Sequence, residues 1–233
     1  MKNIIHTKMG DYTSMNKEAN SVLIITGGRI EEKFISDLLS REQFSMIIAA
    51  DHGLVAVDRL GISPDYIVGD FDSVPEAILK SYLESSIPID IFPREKDKTD
   101  TQIALELALQ HNATSIVLVG ATGSRLDHTM ANIHLLLLPL QLNIDACIMD
   151  EYNKIYLKKE SFQIEKQKQH GNYVSLLPFS EEVTGLTLSG FHYPLNKIVL
   201  TAGSSLGISN EIIGEVAQIE FVNGTLLVIE SRD

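Results

Sequence analysis

Six aspartates stand where strand-like runs give way to helix-like ones: Asp51, Asp70, Asp72, Asp97, Asp100 and Asp127. The densest group is Gly69-Asp70-Phe71-Asp72-Ser73, directly after the apolar run Tyr66-Ile67-Val68, and Asp51 follows Ile47-Ile48-Ala49-Ala50 in the same way. In an open parallel sheet the ligand crevice lies beyond the carboxyl ends of the strands. Carboxylates gathered there repel one another unless a cation stands between them. The residue types therefore point to Mg²⁺ shared with a phosphorylated substrate. In an extended loop the i, i+2 spacing turns Asp70 and Asp72 the same way. Asp72 or Ser73 can also cap the helix that begins at Pro75, a role beyond the reach of Asp70.

Two further loops carry polar chemistry. Lys96-Asp97-Lys98-Thr99-Asp100-Thr101 precedes a helical stretch through Gln110. Thr99 or Asp100 can cap that helix, and the same alternation of acid and base suits a metal–polyphosphate complex. Gly120-Ala121-Thr122-Gly123-Ser124-Arg125-Leu126-Asp127-His128 is glycine-rich and follows an apolar strand. Amides at a helix N-terminus bind phosphate oxygens, and Arg125 can add a bidentate contact. No Gly-Lys-Ser/Thr follows, so it is not a Walker loop. Thr26-Gly27-Gly28 reads as a tight turn, and His128 has no second His or Cys at zinc spacing. Later in the chain, Tyr193, Ser209 and Asn210 lie in stretches unlike ordinary strand, where packing and turn roles suffice to explain them.

These residues need elements to position them. Strand-like runs at 22–25, 45–50, 66–68, 89–92 and 115–119 alternate with helical patterns, the last from about Asp127 to Leu138. Strands alternating with helices imply βαβ units and a mostly parallel sheet. After Asn143 short strand-like runs recur without long helical patterns, which reads as an antiparallel β-sandwich. Asn223-Gly224, between runs at 215–222 and 225–230, predicts a tight type I′ hairpin. The expected organisation is a leader over 1–20, a three-layer α/β domain over 21–142 and a β-sandwich over 143–233.

Composition narrows the classes. The net charge of −12 opposes a nucleic-acid partner, which needs a basic face. Cys147 is the only cysteine, so no intrachain disulfide forms, and a reducing cytoplasm is expected. The longest apolar run, 133–142, is too short to span a bilayer.

Taken in order, Ala50-Asp51-His52-Gly53, the segment from Pro64 to Ser73, Lys98-Thr99-Asp100, Arg125-Leu126-Asp127-His128 and Ser209-Asn210-Glu211 resemble the thiamine pyrophosphokinase (thiamine diphosphokinase) family. The resemblance covers nearly the whole chain after residue 20. It implies an N-terminal α/β domain, a C-terminal β-sandwich and a homodimer with active sites between the subunits. It also implies Mg²⁺-dependent transfer of the terminal diphosphate of ATP to the hydroxyl of thiamine, giving thiamine diphosphate and AMP. Carried across by position, Asp70, Asp72, Asp97 and Asp100 are the expected catalytic residues, with Asp70, Asp72 and Asp100 holding the metal. Asp51, Lys98, Thr99, Gly123, Arg125 and Asp127 are expected at ATP, and Tyr193, Ser209 and Asn210 at thiamine. Some relatives carry tryptophan in place of Tyr193 and a neutral side chain in place of Lys96. Attack on the β-phosphorus requires the β,γ unit to be held in line, so positioning and electrostatics supply most of the catalysis. Asp100 and Asp97 are candidates to accept the hydroxyl proton.

Two other classes compete. A phosphohydrolase also uses an Asp-x-Asp loop after a parallel strand, usually the first strand rather than the third. A non-catalytic sensor of thiamine or a nucleotide would not need so many carboxylates around a metal.

Overall fold

Val22, Leu23, Ile24 and Ile25 are wholly shielded from solvent, and their strand, β1 (Ser21–Ile25), lies inside the sheet that organises the molecule. The computed structural model describes residues 20–233. The leader expected over 1–20 therefore lies, but for Asn20, outside the described residues. The chain continues through α1 (Glu32–Arg41), β2 (Met46–Ala50), α2 (Gly53–Leu60), β3 (Tyr66–Gly69), α3 (Glu76–Leu83), β4 (Ile89–Ile91), α4 (Asp100–Gln110), β5 (Ser115–Val119), α5 (Leu126–Leu135), α6 (Leu137–Gln141) and β6 (Asp145–Met149). These six strands run parallel in the order β6-β5-β1-β2-β3-β4. The apolar side chains of the inner strands β1, β2, β3 and β5 are mostly buried on both faces, as in other parallel sheets, whereas edge strand β4 exposes Ile91. One face packs on α4, α5 and α6, the other on α1, α2 and α3, giving the expected three-layer α/β architecture.

The single helix expected from Asp127 to Leu138 is divided at Leu136, which is the C-cap of α5 and the N-cap of α6. Pro139 has no N–H to donate to the carbonyl of Leu135, so the ladder is interrupted at the Leu136 junction and a new short helix begins.

The rest of the chain is antiparallel. Its strands are β7 (Asn153–Lys158), β8 (Phe162–Glu165), β9 (Tyr173–Pro178), β10 (Glu182–Ser189), β11 (Leu195–Thr201), β12 (Asn210–Glu211), β13 (Val216–Glu220) and β14 (Leu226–Ser231). β7 pairs antiparallel with β6, and β14, β9 and β12 follow outward, so one ten-stranded sheet runs β12-β9-β14-β7-β6-β5-β1-β2-β3-β4. The parallel portion thus extends one strand past residue 142, and the change of architecture comes at the Asp150–Tyr152 turn. A second sheet, β11-β10-β13-β8, packs across the antiparallel portion, and Val174, Leu176, Val183, Leu186, Ala217 and Val228 lie in their shared core.

The expected hairpin at Asn223-Gly224 does not form. β13 pairs with β10 and β8 in the second sheet, whereas β14 pairs with β7 and β9 in the first. Gly224 has φ +109, but Asn223 is not among the residues with positive φ, so the two-residue I′ geometry is absent. Asn223 instead bridges to Thr184 as the chain crosses between sheets.

A buried carboxylate helps to fix this seam. Glu230 of β14 is 3% exposed. It accepts from Tyr156 Oη at 3.0 Å and from the His170 backbone N–H at 2.8 Å. Tyr156→Phe leaves one buried carboxylate oxygen without its donor and is expected to cost about 1–3 kcal/mol with the fold retained. Urea denaturation checks this; an unchanged midpoint would mean that water replaces the hydroxyl freely.

Candidate active site

The chain leaves β1 for β2 on one side and later returns to β5 on the other. A crevice therefore opens beyond the carboxyl ends of β1 and β5, at the point where the strand order reverses. Two loops meet there. Gly28 N donates to Gly120 O at 2.7 Å, and Arg29 N to Thr122 O at 2.7 Å. Thr26 Oγ1 donates to Gly120 O at 2.6 Å. A β-carbon on Gly28 would stand 2.3 Å from both of those carbonyl oxygens, and Gly120 has φ +70. Both glycines are therefore required by the contact itself. Among the described residues the amides of Thr122, Gly123 and Ser124 donate to no backbone carbonyl. Asn132, 6% exposed, ties α5 to the loop through Nδ2 and Ala121 O at 2.8 Å. The crevice has a volume of about 640 Å³, and Asp51, Thr99, Asp100, Gly123, Arg125 and His128 line it.

The carboxylates converge at one side. Oxygens of Asp51, Asp70 and Asp72 lie within 4.8 Å of one another. The loop after β3 is not extended: Phe71 has φ +59 and is 4% exposed, with its ring in the core beneath. That buried ring anchors the turn and leaves the flanking aspartates outside. Asp51 is also left-handed, at φ +47. A β-carbon on Gly69 would come within 3.0 Å of the Asp51 backbone, so glycine permits the two loops to touch. Left-handed non-glycine residues cost free energy and gather at functional sites.

Electrostatics follow from this crowding. Burial pushes the Asp51 carboxyl above the usual range, and Asp100 and Asp70 add to the rise, against the His52 amide and the Ser73 hydroxyl. Burial also acts on Asp70, yet the Asp72 amide and the Lys96 ammonium outweigh it and hold its carboxyl low. Lys96 Nζ is 3.2 Å from Asp70 Oδ2 and 3.0 Å from Asp100 Oδ1. Burial lowers its affinity for a proton, but its two carboxylate partners outweigh this and leave it raised. Asp100 Oδ1 is nonetheless buried without a hydrogen bond, its approach to Lys96 being an ion pair only. Three convergent carboxylates, with a fourth beyond Lys96, suit a hard divalent cation with oxygen ligands.

The expected residues fall into distinct places. Asp70 and Asp72 meet Asp51, with Asp100 across Lys96 from Asp70. Thr99 lines the crevice and caps α4, accepting from Gln102 N at 3.2 Å. Asp97 and Lys98 face a separate groove beside β4, where Lys98 pairs with Glu106 at 2.6 Å. Arg125 and Asp127 form an exposed fork, Nε to Oδ1 at 3.2 Å and Nη2 to Oδ2 at 2.6 Å. The guanidinium holds the Asp127 carboxyl at about 2. Asn132 is the contributor that sequence reasoning passed over, while Thr26 and Gly28 were read only as a tight turn and Lys96 only as part of a charged loop. The legible signal was Gly27-Gly28 directly after a central strand.

Tyr193, Ser209 and Asn210 lie at the opposite end of the sheet, at β12. Asn210 is buried and clamps the Tyr193 backbone: its Oδ1 accepts from Tyr193 N at 3.0 Å and its Nδ2 donates to Tyr193 O at 2.8 Å. The amide thus holds the tyrosine loop, and Tyr193 is 61% exposed. Ser209 has φ +54, and its amide donates to Ser175 Oγ at 3.0 Å. Eight strand-to-strand steps separate β12 from β3, a distance on the order of 30–40 Å across a twisted sheet. Within one chain these residues do not meet the aspartates.

Comparison with known proteins bears on both ends. Residues 38–148 match the family model described as thiamin pyrophosphokinase, catalytic domain, and residues 159–226 that described as thiamin pyrophosphokinase, vitamin B1 binding domain. The chain is 36% identical to thiamine pyrophosphokinase of Bacillus subtilis over 215 residues, 91% of this chain and 99% of the relative. The crystal structure of the Bacillus subtilis thiamine pyrophosphokinase superposes with a TM-score of 0.83 at 35% identity, covering 92% of this chain and all of that one. The Geobacillus thermodenitrificans structure gives 0.79 at 34% identity, covering 91% and 98%.

The glycine contact generates a test. Gly28→Ala should destabilise the protein by roughly 1–3 kcal/mol through the collision with two carbonyls. Gly61→Ala, at φ +62 with open space around it, should cost only the local backbone strain of about 1 kcal/mol. Equal losses in denaturant titrations would show that the Gly28 approach is not constrained.

Proposed function

The chain belongs to the thiamine pyrophosphokinase family, and from that premise we propose how its residues carry out the reaction. It transfers the diphosphate of ATP to the hydroxyl of thiamine, releasing AMP. The observation that carries this reading is the convergence of Asp51, Asp70 and Asp72 beside the two glycine loops of the crevice. Mg²⁺ would be held by Asp70 and Asp72 with Asp51, and by Asp100 from across Lys96; when bound it neutralises the polyphosphate charge. The Thr122–Ser124 amides and Arg125 orient the phosphate chain. Asp127 occupies the Nε–Nη2 edge of Arg125, which leaves the Nη1 side for a phosphate oxygen. Of the two candidates to accept the thiamine hydroxyl proton, Asp100 lines the crevice and Asp97 faces away. Position therefore favours Asp100 over Asp97.

The acceptor is bound through Tyr193 and Ser209, with Asn210 acting through the tyrosine it clamps. The ring face suits the aminopyrimidine and the acidic cleft suits the cationic thiazolium. Because these residues and the aspartates lie at opposite ends of one sheet, each complete site takes its donor end from one chain and its acceptor end from a second copy. Exposed Leu206, Ile208 and Ile213 near β12 support a homodimer contact there. No helix among the described residues is long and apolar enough to cross a membrane, and a cytoplasmic enzyme is our reading.

Incubation with ATP, Mg²⁺ and thiamine should yield AMP and thiamine diphosphate. Free phosphate would favour a phosphohydrolase, and absence of turnover a sensor. Asp72→Asn is expected to lower turnover by orders of magnitude with the melting temperature nearly unchanged, since the residue is on a loop; near-normal rates at low Mg²⁺ would remove Asp72 from the metal.

Complementation tests the shared site. Mixing Asp72→Asn chains with Tyr193→Ala chains, assayed at thiamine well below the Tyr193→Ala KM, should restore up to about a quarter of wild-type activity. Half the dimers are then mixed, and each has one intact site. No gain on mixing and re-equilibration would mean that each site is not shared between chains.

A further inference from the structure

Lys96 is the most enclosed cation at the site, its side chain 12% exposed against 15% for Asp70 and 21% for Asp100. Arg94, a second basic group beside the aspartates, pairs with Asp72 at 3.3 Å but is 81% exposed. Lys96 reaches Asp70 Oδ2, while Asp70 Oδ1 accepts the Asp72 amide at 3.2 Å. Both oxygens of the central carboxylate are therefore engaged before any metal arrives. A hard divalent cation binds through such oxygens. At Asp70 it meets an amide fixed by the fold and an ammonium on a flexible stem; the ammonium repels it by like charge and is the one that can move.

We propose that Lys96 is a tethered counter-cation that holds Asp70 and Asp100 together in the metal-free protein and yields Asp70 to the divalent ion, so that metal and polyphosphate bind as coupled partners. This rests on the metal site proposed above. The tether gives the ammonium a high effective concentration at the carboxylates, so metal alone binds against a standing competitor. An incoming polyphosphate offers the displaced ammonium a new anion. Nucleotide should therefore tighten metal binding, and by linkage metal should tighten nucleotide binding by the same factor. Lys96 is in this sense a positioning residue: it keeps two repelling carboxylates in register until substrate arrives.

The test uses Mn²⁺ alone as probe, with free ion counted by its electron paramagnetic resonance signal, and then Mn²⁺ with α,β-methylene-ATP. Lys96→Met keeps the apolar stem and removes the charge. It should bind Mn²⁺ alone about tenfold more tightly than wild type, gain less from the nucleotide analogue, and melt at a lower temperature without metal. Lys96→Arg, retaining the charge, should behave like wild type; Lys96→Gln replaces the methionine variant if that one fails to fold. Wild-type or weaker Mn²⁺ affinity in the uncharged variant would overturn the proposal. Asp72→Asn separates the two failures. If it weakens Mn²⁺ binding while Lys96→Met does nothing, the metal site stands and the competitor role falls. If Asp72→Asn changes nothing, the ion binds elsewhere and both readings fall.

Discussion

Like charges at the ends of neighbouring strands constrain everything else at this site. Parallel pairing sets β2 next to β3, so the loops after them deliver Asp51 and Asp70 to one spot whatever their chemistry. Adding Asp72 and Asp100 makes a group that its own Coulomb energy would disperse. Three features oppose that. Phe71 anchors its loop in the core, Gly69 allows the Asp51 backbone to lie against it, and Lys96 supplies a shielded positive charge between two of the carboxylates. The raised Asp51 carboxyl is the residue of repulsion and burial that these features leave unrelieved. A site poised in this way favours a cation without having to be rebuilt around it.

The strained backbone fits the same account. Asp51 and Phe71 both adopt positive φ without being glycine, at a cost of order 1–3 kcal/mol each. Such conformations persist only where surrounding packing fixes them. Here the packing is the α2 and α3 side of the sheet, where Leu54, Val57 and Val74 are buried with Phe71. The expectation of an extended loop led to the correct pairing of Asp70 with Asp72 by the wrong geometry. The turn brings them together because its middle residue is buried.

Much of this was legible in the sequence because the α/β half obeys local rules. Apolar strands, helix caps such as Thr99 and the aspartates at strand ends are all encoded within a few residues of one another. What was not legible lies where partners are distant. Nothing in Lys96-Asp97-Lys98 tells which of three charged neighbours pairs with the aspartates; all three line the groove beside β4, and it is the Lys96 ammonium that reaches Asp70 and Asp100. Asn223-Gly224 is a strong local hairpin signal, yet β14 buries Leu226, Val228 and Glu230 only by pairing with β7 and β9. The larger burial overrides the turn preference. Asn210 reads as a polar turn residue with a free amide until the fold shows that amide clamped on Tyr193.

The continuous sheet carries the last step. A ligand crevice between domains is the usual expectation for a chain with an α/β half and a β half, and a hinge would then close it. Here the two halves share one hydrogen-bonded sheet through β6 and β7, and Glu230 ties the antiparallel strands to the loop beyond. That seam resists bending, because opening it would break ladder bonds and expose a carboxylate. The distance between β3 and β12 is therefore fixed by strand spacing and not adjustable by domain motion. The homodimer proposed above, with donor and acceptor residues meeting across two chains, is compatible with that fixed distance. In such a dimer the rigidity of each sheet becomes an advantage, since two stiff bodies related by symmetry hold donor and acceptor at one repeatable separation.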